Sequence, residues 1–215
     1  MTMPRPRIAV LLSGRGSNLA ALLRNDCGGD IVVAGSNITD AKGLDIARDA
    51  GIKTFAISHK DFATREAFDQ ALVDALNEHR PDLVVLAGFM RILTPVFTNA
   101  FAGRLINIHP SLLPSFPGVD SHERALAEGV KLHGCTVHFV TPVLDSGPII
   151  AQAAVQVEDD DTAETLAAKV LIQEHQIFPY AVRLFCEGRL QVEGHRVRTL
   201  PKIAKPVTGV AQVIV

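Results

Sequence analysis

Short, almost wholly apolar runs recur through the first half of the chain, spaced just widely enough to hold a helix between them. That alternation constrains the fold more than any other feature. The first run, Ile8 to Leu12, reads IAVLL, and a run without polar alternation is a strand covered on both faces. Gly14-Arg15-Gly16-Ser17-Asn18 turns it into a helix with Leu19, Leu22 and Leu23 on one side, which Cys27-Gly28-Gly29-Asp30 ends. Strands at 31–34 and 53–57 alternate with helices at 43–50 and from the cap Thr64 to about residue 79, where Pro81 stops the second. Further strands follow at 83–87 and from Leu105. Beyond them, 135–140 and 149–157 predict a β-pair across the turn-rich Leu144-Asp145-Ser146-Gly147-Pro148. Ser121 is a cap for a helix through residue 128, and Asp161-Thr162-Ala163-Glu164 opens a long helix reaching Phe178. A hairpin is expected around Glu193-Gly194, and a loosely packed tail after Pro201. The class is α/β: a doubly wound, mostly parallel, Rossmann-like sheet with antiparallel additions at the C-terminal side.

At 215 residues the chain is one domain, and 47% apolar with 20% charged residues is enough to fill its core. The net charge of -2, without a long basic run, argues against a nucleic-acid partner. Three widely spaced cysteines, Cys27, Cys135 and Cys186, make no disulfide framework and point to a reducing compartment. Arg5 and Arg7 precede an apolar run too short for a signal peptide, and no run approaches a membrane span. A cytoplasmic protein without a membrane partner is expected.

The residues with chemistry sit where strands end. In Leu105-Ile106-Asn107-Ile108-His109-Pro110, Asn107 and His109 fall on one face of a strand that Pro110 terminates. An amide donor and an imidazole at a strand's carboxyl end suit a reaction in which an oxygen becomes negative and protons move. The same pair would also serve as a capped strand end. Asp145 lies in the later turn; a carboxylate that reached His109 would orient its ring, although turn chemistry alone also selects Asp. Gly16-Ser17-Asn18 opens a helix and offers N–H groups to an anion. The loop fails the dinucleotide fingerprint, with Leu19 in place of the third glycine and no acid after Gly35-Ser36-Asn37, so a phosphate monoester is favoured over NAD. His133 and Cys135 share a strand face and His138 falls on the other, so no metal site is expected. Leu86 to Leu93 stays apolar past its strand and could clasp a flat ring or simply join the core.

Together these stretches resemble the phosphoribosylglycinamide formyltransferases, a folate-dependent family. The resemblance runs from the first strand to about Phe185. It is carried by Gly14-Arg15-Gly16-Ser17-Asn18, Ala87 to Leu93, Asn107 to Pro114, Gly134 to Val140, Leu144-Asp145-Ser146-Gly147 and Glu174-His175. It implies formyl transfer from 10-formyltetrahydrofolate, the co-substrate, to the amine of glycinamide ribonucleotide, with no metal. Asn107, His109 and Asp145 match the family's catalytic trio. Gly16, Ser17 and Asn18 match its phosphate site and Glu174 its ribose-binding acid. Met90, Arg91, Ile92, Leu93 and Val140 fall on its folate pocket, and Arg65 near the folate glutamate tail. Ile38 and Leu171 depart from the family pattern. By this resemblance residues 1–104 serve the ribonucleotide phosphate and 105–200 the catalysis and the folate, in a monomer or homodimer. Formyltetrahydrofolate deformylase and methionyl-tRNA formyltransferase share parts of the motif but are expected to carry a further domain, at the N- and C-terminal end respectively. A non-catalytic phosphate-binding module is the reading from another class.

Overall fold

The structure, a computed structural model, describes residues 4–201; the expectation for the tail beyond Pro201 lies outside them. In chain order the elements are β1 (Arg7–Leu12), α1 (Ser17–Arg24), β2 (Asp30–Ser36), α2 (Lys42–Asp49), β3 (Lys53–Ala56), α3 (Arg65–Asn77), β4 (Leu83–Leu86), α4 (Pro95–Ala100), β5 (Leu105–His109), α5 (Ser121–Ala127), β6 (Leu132–Phe139), β7 (Ile149–Gln156), α6 (Ala163–Cys186), β8 (Leu190–Glu193) and β9 (Arg196–Thr199). All strands among the described residues join one nine-stranded sheet in the order β3-β2-β1-β4-β5-β6-β7-β9-β8. The first five are parallel, β6 and β7 run antiparallel, and β9 meets β7 through one parallel pair, Ile149 with Arg196. Residue 104 marks no break in the sheet, because β4 and β5 pair across it.

Strand alternation distributes the core over both faces. Ile8, Val10 and Leu12 of β1 pack with α1, α2 and α6, while Ala9 and Leu11 pack with α3 and α4. The chain winds outward from β1 in both directions, to β2 and β3 on one side and to β4 and β5 on the other. The carboxyl ends of β1 and β4 therefore border the crevice in which such sheets place their ligands. On β5, Ile106 and Ile108 face the α6 side, so Asn107 and His109 turn to the other face.

Several elements differ from the sequence reading. Helix α6 does not stop at Phe178 but carries Pro179 inside it and runs to Cys186. Its far half buries Phe178, Ala181, Val182 and Leu184, and that burial outweighs the backbone bond Pro179 removes. Ser121 is the first helical residue of α5 rather than its cap: Asp120 occupies the cap at φ 56°, and the Ser121 hydroxyl donates to the Pro110 carbonyl at 2.9 Å. Strand β6 starts at Leu132 because its ladder with β7 continues through Gly134, where a Cβ would lie 2.0 Å from the Ala153 carbonyl oxygen. Helix α4, with Pro95 in its first turn, had no counterpart in the reading.

Candidate active site

At the end of β1, Gly16 caps α1 at φ 77°, and a Cβ there would stand 2.5 Å from the Gly43 Cα of α2. The glycines thus serve the close approach of two helix starts, which the Gly43 N–H fastens to the Gly14 carbonyl at 3.0 Å. The first turn of α1 holds no acidic side chain, and Gly16 makes no side-chain cap. That leaves the positive helix end available to an anion. Ser13 ties this loop to its neighbours. Its hydroxyl donates to Asn37 Oδ1 at 2.5 Å and accepts from the Met90 N–H at 2.7 Å, joining the ends of β1, β2 and β4.

Asn18 and Glu174 meet although they come from α1 and α6. The Asn18 amide donates to Glu174 Oε2 at 2.8 Å, and both residues are buried. Burial pushes the Glu174 carboxyl above its ordinary range, and the Asn18 bond opposes that rise. Within the described residues Asn18 Oδ1 has no hydrogen-bond partner.

Asn107, His109 and Asp145 converge. The turn after β6 bends back so that Asp145, at φ 49°, brings Oδ2 to 3.5 Å from His109 Nδ1. The same oxygen accepts from the Gly118 N–H at 2.8 Å. On the opposite side of the ring, His109 Nε2 lies 3.1 Å from the Phe116 carbonyl. Both imidazole nitrogens therefore face oxygen acceptors, and the side chains of His109 and Asp145 are only 7% and 8% exposed. A fourth residue joins them. His138 pairs with Asn107 in the antiparallel ladder of β5 and β6, which puts both side chains on one face. Its Nε2 is 3.2 Å from Asn107 Nδ2 and 3.9 Å from Asp145 Oδ1. Burial lowers the His138 pKa, against a rise from Asp145. The sequence reading weighed His138 only as a metal ligand. Its place depends on the register between β5 and β6, which no local spacing encodes.

The remaining candidates lie at the start of α3, in the segment after β4 and just past β6. Met90 and Ile92 are 68% and 56% exposed, whereas Leu93 and Val140 pack against the α3/α4 core. Arg91 is half-buried. Arg65 donates to the Ile92 carbonyl and so holds this loop to the start of α3. Its helical neighbour Asp69 turns inward and accepts from the Thr94 N–H at 2.5 Å. Among the described residues, no group of three His, Cys, Asp or Glu side chains is placed to hold a metal. Burial raises all three cysteine thiols, those of Cys135 and Cys186 to about 12. No described helix is long and apolar enough to cross a membrane.

The chain as a whole is similar to known proteins. The chain is 48% identical to Escherichia coli (strain K12) phosphoribosylglycinamide formyltransferase over 189 residues, 86% of this chain and 89% of that one. It is 47% identical to human trifunctional purine biosynthetic protein adenosine-3 over 192 residues, which are 87% of this chain and 19% of that protein. The glycinamide ribonucleotide transformylase 1 structure from Symbiobacterium toebii superposes with a TM-score of 0.90 at 48% identity, covering 93% of this chain and 96% of that one. The family described as formyl transferase matches residues 6–182, which takes in the loop at Gly16, the Asn107–His109 strand, Asp145 and Glu174, and the chain belongs to that family.

Proposed function

We infer that the protein transfers the formyl group of 10-formyltetrahydrofolate to the amine of 5'-phosphoribosylglycinamide, a step of purine biosynthesis. The convergence of Asn107, His109 and Asp145 at one strand end carries this reading, supported by the relatives' shared activity. The amine nitrogen attacks the formyl carbon, and the carbonyl oxygen gains the negative charge. Asn107 and His109 are the donors that stabilise it, the kind of contribution that usually dominates acyl transfer. The C–N10 bond then breaks. The attacking nitrogen must lose one proton and N10 must gain one. Asp145 is the shuttle: its Oδ2 is engaged by Gly118 N–H, which leaves Oδ1 to take and give the proton. No covalent enzyme intermediate is required.

The glycine loop at Gly16, Ser17 and Asn18 binds the phosphate, and Glu174 accepts from the ribose hydroxyls. Met90, Arg91, Ile92, Leu93 and Val140 form the folate pocket, with Arg65 at its rim. Both substrates then draw on both sides of residue 104. An assay of purified protein with 10-formyltetrahydrofolate, supplied in turn with glycinamide ribonucleotide, tRNA or water alone, tests the reading. Formyl transfer to the ribonucleotide is expected. Consumption of the donor with water alone, at a rate the ribonucleotide does not change, would refute it.

A further inference from the structure

We propose that His138 is a positioning residue for Asn107: it holds the amide with one N–H on the imidazole and leaves the other N–H for the oxygen that becomes negative. The inference deepens the reading of Asn107 as an oxyanion donor and rests on it. An asparagine amide has two faces of nearly equal shape and opposite polarity. Only a neighbour that accepts but cannot donate, or the reverse, fixes which way it points.

His138 is such a neighbour. Its Nδ1 lies 2.8 Å from the Phe139 carbonyl oxygen. A carbonyl can only accept, so Nδ1 carries the hydrogen. In the neutral ring the other nitrogen, Nε2, is then a bare acceptor. The ring is buried at 2% exposure, which favours the neutral form. Nε2 stands 3.2 Å from Asn107 Nδ2 and accepts one amide N–H. With the amide flipped, Oδ1 would face the Nε2 lone pair, acceptor against acceptor. The register pair of Asn107 and His138 across β5 and β6 sets this geometry through backbone bonds. A bare Nε2 also makes no hydrogen bond to Asp145 Oδ1 at 3.9 Å, so that oxygen stays open for proton transfer.

The test is a double-mutant cycle on the full-length enzyme, read as kcat and both KM values. His138→Leu is expected to lower kcat at least about tenfold, towards the loss of one oxyanion donor, with both KM values within about twofold. His138→Gln, whose Oε1 can take the place of the Nε2 lone pair, is expected to restore most of kcat although it lacks the Nδ1 bond. In an Asn107→Ala background neither substitution should cost anything further. Equal losses in both backgrounds would overturn the positioning role while leaving Asn107 catalytic. An Asn107→Ala variant with full kcat would overturn the catalytic reading of Asn107, and this inference with it. Nitrogen-15 spectra of the unmutated enzyme at neutral pH give a second readout that survives misfolding of the leucine variant. A hydrogen on Nδ1 and none on Nε2 is expected; the opposite tautomer or a doubly protonated ring would overturn the proposal.

Discussion

The Asn18 amide donates to Glu174 Oε2 at 2.8 Å, joining the first turn of α1 to the middle of α6. The bond changes how the proposed ribonucleotide site should be probed. Asn18→Asp would set a second carboxyl against Glu174 and so mix repulsion of phosphate with repulsion inside the protein. Glu174→Gln is the cleaner variant. Burial raises the Glu174 pKa when folded, so this carboxyl favours the fold fully below its unfolded pKa. That contribution is lost as pH rises through the folded value. Removing the charge should therefore stabilise the unliganded protein at neutral pH, by about 2–4 °C in Tm per kcal/mol recovered. Ribonucleotide KM should rise at least about tenfold as a charge-assisted bond is lost, with folate KM unchanged. Melting curves at pH 5 and pH 8 check the sign: the variant's advantage should be larger at pH 8.

Asp145 faces His109 at 3.5 Å and accepts from the Gly118 N–H. Asp145→Asn keeps the size but removes both the charge and the proton acceptor. A fall in kcat of at least about a hundredfold is expected, the scale of acid–base contributions, with ribonucleotide KM little altered. His109→Asn should cost less, because an amide still donates to the oxygen. Steady-state kinetics of the two variants decide the order; a smaller loss for Asp145→Asn would remove the carboxylate from the proton path.

Much of this site was legible because its parts are local signals. Strand parity put Asn107 and His109 on one face, Pro110 marked the strand's end, and Gly16 marked a helix start. The contacts that assemble the site are not local. Asp145 reaches His109 through the fold of a turn, Glu174 reaches Asn18 across two helices, and His138 reaches Asn107 through an interstrand register. Helix α6 runs beyond the expected Phe178 for a similar reason: the low helix propensity of Pro179 is visible in sequence, and the core that overrides it is not.

Arg65, which the resemblance puts near the folate glutamate tail, donates to the Ile92 carbonyl, while burial raises the carboxyl of Asp69. Arg65→Ala should raise folate KM about two- to tenfold by freeing the loop, the range of one hydrogen bond to a charged group. Ribonucleotide KM should stay constant. Titrating salt separates the two roles. A loss that fades in high salt marks attraction of the tail, and one that persists marks the tether to Ile92.

Acid should weaken the fold through histidines that full or partial burial keeps neutral. Burial lowers the pKa of His122, His138 and His175, and that of His133 to about 4. Below about 6.5 the unfolded chain takes up protons that the folded rings refuse, so stability falls as pH drops from there towards 4. His133 alone accounts for about 3 kcal/mol over that window and about 2 kcal/mol by pH 5. Glu174 acts in the opposite sense and offsets part of the loss. Urea midpoints at pH 7 and pH 5 measure the slope, and His133→Gln should flatten it.

Gly147 tests whether the Asp145 turn must sit where it does. A Cβ at this buried glycine would lie 1.8 Å from the Phe139 carbonyl oxygen and 2.8 Å from its carbon, both backbone atoms at the end of β6. The Phe139 N–H donates to the Pro148 carbonyl at 3.0 Å, so the turn cannot retreat without breaking its closing bond. Gly147→Ala must therefore push the 144–148 segment away from β6, and Asp145 with it. Displacement of a catalytic group by about 1 Å can cost roughly a hundredfold in rate. A kcat loss of that order is expected, close to that of Asp145→Asn, together with a lower Tm. Ser146→Ala, one residue earlier on the exposed side, adds no atom against β6 and should leave kcat within about twofold, as surface changes do. Combining Gly147→Ala with Asp145→Asn separates position from stability. If the glycine acts by placing the carboxylate, the double variant loses no more kcat than Asp145→Asn alone; an additive loss would show that the turn supports the site by another route.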